Sequence, residues 1–166
     1  MKQINLGGMG GEYVALVSDR DYARVNKFNW RASPTADGTT VYAVRTAGSR
    51  PHRTTIRMHR FILRLRSRKR IVDHRDHDGL NNTRRNIRAC TQSQNRANQR
   101  PIGCKGVIRL KRSLTKPFRA SIKKNRKVYN LGHFATRQEA KRAYNRAAVK
   151  LFGAFACLNP ETEAAA

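Results

Sequence analysis

Acidic residues are scarce in this chain: 10 Asp and Glu stand against 36 Lys and Arg over 166 residues, a formal net charge of +26. Such an excess repels itself unless a polyanion neutralises it, so nucleic acid is the natural partner. Cysteine is also sparse. Cys90, Cys104 and Cys157 are odd in number and contain no C-x-x-C pair, which argues against a zinc ribbon and against a secreted disulfide framework. They read as free thiols in a reducing compartment. No apolar h-region follows Met1 and no apolar run reaches membrane-spanning length, so the reading is a soluble, intracellular protein with no membrane partner. Hydrophobic residues make up 39%, enough for modest cores but not for one large one.

The positive charge is spread along the chain. Residues 101–166 hold 15 basic and 3 acidic residues, leaving +14 of the net charge for residues 1–100. Both halves should therefore meet phosphates. Composition alone does not separate a nuclease from a DNA-binding regulator or a basic RNA-binding protein.

Hydrophobic patterning outlines the elements. Tyr13–Val17 reads as a strand, followed by a short helix capped by Ser18 or Asp19 and carrying Tyr22, Val25 and Phe28. Pro34, Asp37 and Gly38 mark a turn; residues 41–44 and 54–58 read as two strands, and residues 59–65 as a short amphipathic helix. The basic run from Arg64 to Arg70 fits either a solvated loop or a phosphate clamp. Polar, Asn-rich residues 92–100 lead to Pro101 and Gly103, where a domain boundary is placed. Beyond it, residues 104–111, 117–124 and 126–134 are strand-like, and Thr136 with Glu139 forms a capping box. Ala140, Ala143, Tyr144, Ala147, Ala148, Leu151 and Phe152 then follow at helical spacing up to Gly153. This predicts three antiparallel strands backed by one helix. Trp30, Phe118, Tyr129 and Phe152 read as core positions, which disfavours an RNA-binding surface of exposed aromatics.

The chemistry-bearing stretch runs from Val72 to Asn95. Phosphodiester hydrolysis needs a base near neutral pH, which an imidazole supplies, and charge stabilisation at the phosphate, which a hard cation on a carboxylate and an amide supplies. Asp73 and His74 are adjacent, so on a strand they face opposite ways. Thr91-Gln92-Ser93-Gln94 resembles a second capping box and starts a helix near Gln92, which puts Asn95 in its first turn. Asn82 and Asn86 are placed where an amide could lock the tautomer of His74.

Asp73-His74, then Asn86 and Asn95 at their spacing, resembles the HNH (ββα-metal) endonuclease motif. Met58-His59-Arg60 and Asp78-Gly79-Leu80-Asn81-Asn82 resemble its phage and intron-associated homing subgroup. The resemblance implies His74 as general base, Asp73 and Asn95 as ligands of one Mg²⁺ (or Mn²⁺), and Asn86 as the residue that orients the base. Asn95 stands where many such enzymes carry His, which suits a hard cation. His77 replaces a Gly common in the subgroup and Arg75 an apolar residue; His77 reads as a solvent-exposed loop residue, and His52, His59 and His133 as structural or surface residues.

Lys105-Gly106-Val107, residues 118–122, residues 131–134 and the Ala-rich stripe resemble the plant ethylene-response-factor (apetala-type) DNA-binding domain over residues 103–159. That family lays its sheet in the major groove, which accepts a β-ribbon. By alternation Phe118, Ala120 and Ile122 face the helix, while Arg119, Ser121 and Lys123 face DNA; Tyr129 and Leu131 are core, and Val128 and Asn130 point out. Lys105, Arg109, Lys111, Arg126 and Lys127 complete the implied DNA-binding set. Ile108 and Leu110 stand where the plant domains carry base-reading Arg, so their sequence preference does not transfer.

The fold class read from all this is α+β. Residues 1–51 form a β-rich extension of the nuclease domain at 52–100, residues 103–159 form the sheet-on-helix domain, and 160–166 a tail. The function read is a metal-dependent, strand-nicking endonuclease on double-stranded DNA, monomeric, without a protein partner, from a phage or mobile element. The alternatives are a transcriptional regulator with an inactive nuclease domain and a basic RNA-binding protein.

Overall fold

A computed structural model describes residues 1–8, 12–67, 69–100, 103–111, 113 and 115–161. Arg68 of the basic run, Leu114 and most of the tail therefore lie outside the described residues. The chain forms two compact units, Met1–Thr91 and Gln92–Ala166. No helix among the described residues is long and apolar enough to cross a membrane.

The first unit contains three small sheets. β1 (Lys2–Leu6) pairs antiparallel with β2 (Tyr13–Val17), and β2 pairs in parallel with β7 (Asn81–Asn82). β3 (Arg31–Pro34), β4 (Val41–Ala47) and β5 (Thr54–Arg57) form an antiparallel sheet in that order. β6 (Ile71–His74) and β8 (Ile87–Cys90) form an antiparallel pair. Two short helices, α1 (Asp19–Val25) and α2 (Met58–Ile62), complete the unit. Its core gathers Ile4, Leu6, Val17, Val25, Trp30, Met58, Ile62 and Ile87. Burying a side chain the size of Met58 or Ile62 contributes about 1.5–3 kcal/mol. Trp30 satisfies its indole N–H on the Val25 carbonyl at 2.9 Å.

Local signals here are partly redirected by long-range partners. Ser18 stands at the start of α1, but its side chain makes no cap; its Oγ accepts from the Arg84 amide at 2.9 Å. Phe28 lies beyond the end of α1 and is exposed. Helix α2 stops at Ile62, three residues short of the predicted end, and Arg64 follows in the left-handed region at φ 53°.

The second unit opens with α3 (Gln92–Asn98). β9 (Val107–Arg109), β10 (Phe118–Lys124) and β11 (Lys127–Phe134) form an antiparallel sheet with β10 central, and α4 (Arg137–Phe152) packs against it. The Thr136/Glu139 capping box is present and Gly153 ends the helix. Ala120, Ile122, Ala140, Tyr144, Ala148 and Phe152 are buried between sheet and helix. Gly106 is required: at φ +67° a side chain there would run into the Tyr144 ring and the Ser121 carbonyl.

The division between units falls at Thr91/Gln92, not near residue 100. The reason is that α3 is tied into the C-terminal core. Ala97 packs with Ile122, Tyr144 and Phe152, and its carbonyl accepts from the Cys157 amide at 3.0 Å. Lys105 Nζ donates to the carbonyls of Arg96 (3.1 Å), Ala97 (2.7 Å) and Gln99 (2.7 Å), closing the C-terminus of α3. Asn159 brackets Lys105 through both its amide and carbonyl and is held in turn by Asn145.

Candidate active site

β6 and β8 hold the candidate residues in register: Asp73 faces Arg88 and His74 faces Ile87. Both Asp73 and His74 are buried. Asp73 Oδ2 accepts from Arg88 Nε and Nη2, each at 2.7 Å, with both side chains nearly inaccessible to solvent. Leaving a buried carboxylate without such a partner is strongly destabilising.

Residues 75–86 connect the two strands through a network centred on Asp76. Its Oδ1 accepts from the Asp78 amide (2.9 Å) and Asn86 Nδ2 (2.8 Å), and its Oδ2 from Asn81 Nδ2 (2.6 Å). Burial opposes ionisation of Asp76, but these hydrogen bonds, with Asn81 and Asn86 foremost among the side chains, hold its carboxyl below the usual range. Asn86 also accepts from the Asp76 amide (3.1 Å) and donates to the Asn81 carbonyl (2.7 Å). Its amide is thus committed to shaping the loop that follows His74. The buried Asn82 amide pulls the His74 pKa upward, and its own Nδ2 is fixed on the Leu80 carbonyl at 2.9 Å. Pairing of Asn81–Asn82 with β2 anchors the loop to the core. Gly79 permits a close approach to β4, where any Cβ would strike the Val41 carbonyl. His77 has φ 70° and is half-buried rather than solvent-exposed. It occupies a conformation that favours glycine.

His74 is surrounded by rings. His59, buried on α2, packs edge-on at 5.0 Å between centroids, and Tyr42 of β4 lies 5.8 Å from His74 and 5.4 Å from His59. Burial lowers the His74 imidazole below its ordinary range, against the opposing pull of Asp76, Asn82, Asp73 and Asp78. Burial, the neighbouring His74 and two arginines drive His59 down to about 2. His59 had read as a structural or surface residue; it is a buried neighbour of the candidate base. Only a three-dimensional view reveals it, since no carboxylate or spacing marks it in the sequence.

The donor set can be weighed against a metal. Among the described residues no three His, Cys, Asp or Glu side chains converge at metal-binding distance. One buried carboxylate beside a loop of amide oxygens suits a hard cation that keeps water and phosphate ligands, not a zinc cage. Asn95 lies in α3, within the second unit.

In the second unit, register assigns the open sheet face. Arg119 opposes Ile108 and His133, Ser121 opposes Asn130, and Lys123 opposes Val128, so these seven share one face. Ile108 and Val128 are exposed there. Arg126 and Lys127 sit at the β10–β11 hairpin, with Asn125 and Arg126 both at positive φ. Lys111 is exposed just beyond β9. Three expectations change. Lys105 is consumed by the α3 carbonyls, and half-burial lowers its ammonium pKa. Arg109 opposes Phe118 and so falls on the helix side of the sheet. Tyr129 opposes buried Ile122, yet lies at the sheet end, is 37% exposed and carries Lys127 Nζ 5.5 Å from its ring centre.

Over 109 residues the chain is 35% identical to a protein named an uncharacterized HNH endonuclease of Acanthamoeba polyphaga mimivirus. The similarity covers 63% of this chain and 57% of that relative, so the chain spans little more than half of the relative's length. No protein-family profile matches the chain, and no solved structure matches it.

Proposed function

We propose that the chain is an HNH-type, metal-dependent endonuclease that hydrolyses phosphodiester bonds in duplex DNA. The observation that carries this reading is a buried imidazole, kept neutral by its surroundings, next in sequence to a buried carboxylate on β6. The similarity to a protein named an HNH endonuclease supports it, as does the net charge of +26.

His74 takes the proton from the attacking water. Its depressed pKa keeps it in the base form at neutral pH, while Tyr42 and His59 pack against the ring. Asp73 would hold the divalent cation, Mg²⁺ or Mn²⁺, which when bound would stabilise charge on the phosphate and the leaving oxygen. Arg88 holds the Asp73 carboxylate in place. Asn95 as second ligand rests on motif spacing alone. Asn86 and Asp76 hold the loop that carries Asn82. One base and one cation per chain serve one strand, so a monomer nicks. The open sheet face of Arg119, Ser121, Lys123 and Asn130, with Arg126, Lys127 and Lys111 beside it, holds the duplex.

Cleavage of supercoiled plasmid tests this. Metal-dependent nicking, abolished by EDTA and by His74→Ala, is the expected result. Duplex binding without any cleavage, on plasmids that include the native locus, would leave the regulator as the better account. One observation favours the RNA-binding reading: Tyr129 is exposed and offers a ring for base stacking. Tighter binding of single-stranded RNA than of duplex DNA at two salt concentrations would establish that reading instead.

A further inference from the structure

A groove of about 820 Å³ opens on the first unit, and five arginines line it: Arg24, Arg57, Arg60, Arg64 and Arg66. Two of them build its walls. Arg24 is tied to Asp21 and to the Phe61 and Ile62 carbonyls, and Arg60 to the carbonyls of Leu65, Ser67 and Arg70. The other three, Arg57, Arg64 and Arg66, are exposed, and among the described residues no carboxylate pairs with any of them. Like charges gathered in one groove raise each other's energy unless an anion enters.

Arg64 adds a second, independent sign. It follows the last turn of α2 at φ 53°, where glycine is the favoured residue and L side chains are strained. A long cationic side chain in that position is costly for the fold and useful for a ligand. The floor of the groove includes Phe61 and Leu65. A DNA strand has this same composition, with anionic phosphates spaced by apolar sugar faces, and guanidinium forks match phosphate oxygens two at a time. The groove also lies next to the candidate site. The Arg57 guanidinium sits 5.5 Å from the centre of the Tyr42 ring, and that ring is the one 5.8 Å from His74.

We propose that this groove is a second DNA-contacting surface, in which Arg57, Arg64 and Arg66 hold backbone phosphates flanking the scissile bond of the strand being cut. It rests on the endonuclease reading and adds to it a positioning surface on the nuclease unit itself, separate from the sheet of the second unit.

The test measures duplex-DNA binding by the full chain in a His74→Ala background, across a series of salt concentrations. Replacing Arg57, Arg64 and Arg66 together by Gln should make the plot of log affinity against log salt shallower by roughly 2–3, since each phosphate contact contributes about 0.9 to the slope. A matched loss of three charges elsewhere, Arg142→Gln, Arg146→Gln and Lys150→Gln on exposed positions of α4, should change it far less. An unchanged slope in the groove variant, or an equal change in the α4 variant, overturns the proposal. Arg64→Gly gives a second reading: relief of the left-handed backbone should raise the melting temperature while binding weakens. A rise in stability with undiminished binding removes Arg64 from the site. Because binding is read without cleavage, an uncut plasmid with the wild-type chain would sink the nuclease reading and leave this measurement intact.

Discussion

Two neighbouring imidazoles, His59 and His74, cannot both carry charge in a space this dry. Burial brings His59 down to about 2, so it is neutral wherever the fold survives. In the unfolded chain the same group titrates near ~6.5. The unfolded state therefore binds more protons below that pH, and the fold loses about 1.4 kcal/mol per pH unit as the medium is acidified from there. His59→Phe keeps an edge-on ring but removes the proton site. Unfolding free energies from urea titrations at about pH 5 and about pH 7.5 should then differ by roughly 2 kcal/mol less than in the wild type. An equal pH dependence in both proteins would show that His59 accepts a proton in the folded state. The His74 shift has a catalytic counterpart. Since burial lowers its pKa, the acid limb of kcat/KM should lie below pH ~6.5, and a limb above that value would count against His74 as the base.

At the scale of elements, the fixed point behind the candidate site is an ion pair that joins distant segments. Arg84, between β7 and β8, grips Asp21 of α1 with Nε (2.8 Å) and Nη2 (2.9 Å) and also reaches the Ile62 carbonyl at 3.1 Å. Arg84 is the foremost cause of the lowered Asp21 pKa, and burial opposes it. The pair therefore stabilises the fold above the ordinary carboxylate range, and that contribution is lost as pH falls through the folded value. Asp21→Asn leaves Arg84 and Arg24 without their anion and should cost about 3 kcal/mol in chemical denaturation; a loss below about 1 kcal/mol would mean water already screens the pair. Nothing local announces this contact, which spans 63 positions. What was legible in the sequence was local: the Tyr13–Val17 strand, the Thr136/Glu139 cap, the alternation of β10 and the Ala-rich stripe of α4. What was not legible depended on long-range partners and exposure: Ser18 is diverted from its cap by Arg84, Lys105 is drawn onto α3, and Tyr129 stays exposed. Within the candidate site, Asp73 and His74 stand out in the sequence as an adjacent pair, whereas His59 as the packing neighbour of His74 needed the fold. The β10–β11 turn shows a local rule broken. Arg126 holds φ 69° where glycine is at ease. Arg126→Gly should stabilise the protein by about 1 kcal/mol while weakening DNA binding. A gain in stability without loss of affinity would make Arg126 a bystander.

For the molecule as a whole, the charge is divided between two units that are asked to do different things. Residues 1–91 carry +12 and residues 92–166 carry +14, so counter-ion release favours binding through both. The proposed division of labour separates kinetically. Removing Arg119, Lys123 and Asn130 from the open sheet face weakens ground state and transition state alike, so KM should rise while kcat stays near the wild-type value. Asp73→Asn acts only where charge develops, so kcat should fall by about two orders of magnitude or more with KM little changed. The two sets of variants should also combine additively, because the residues lie in different units. A sheet-face variant that lowers kcat and leaves KM alone would contradict this division, because a surface that only holds DNA cannot select for the transition state. In that event the second unit would have to act on the reaction itself, and α3, the element that carries Asn95, would be the place to look.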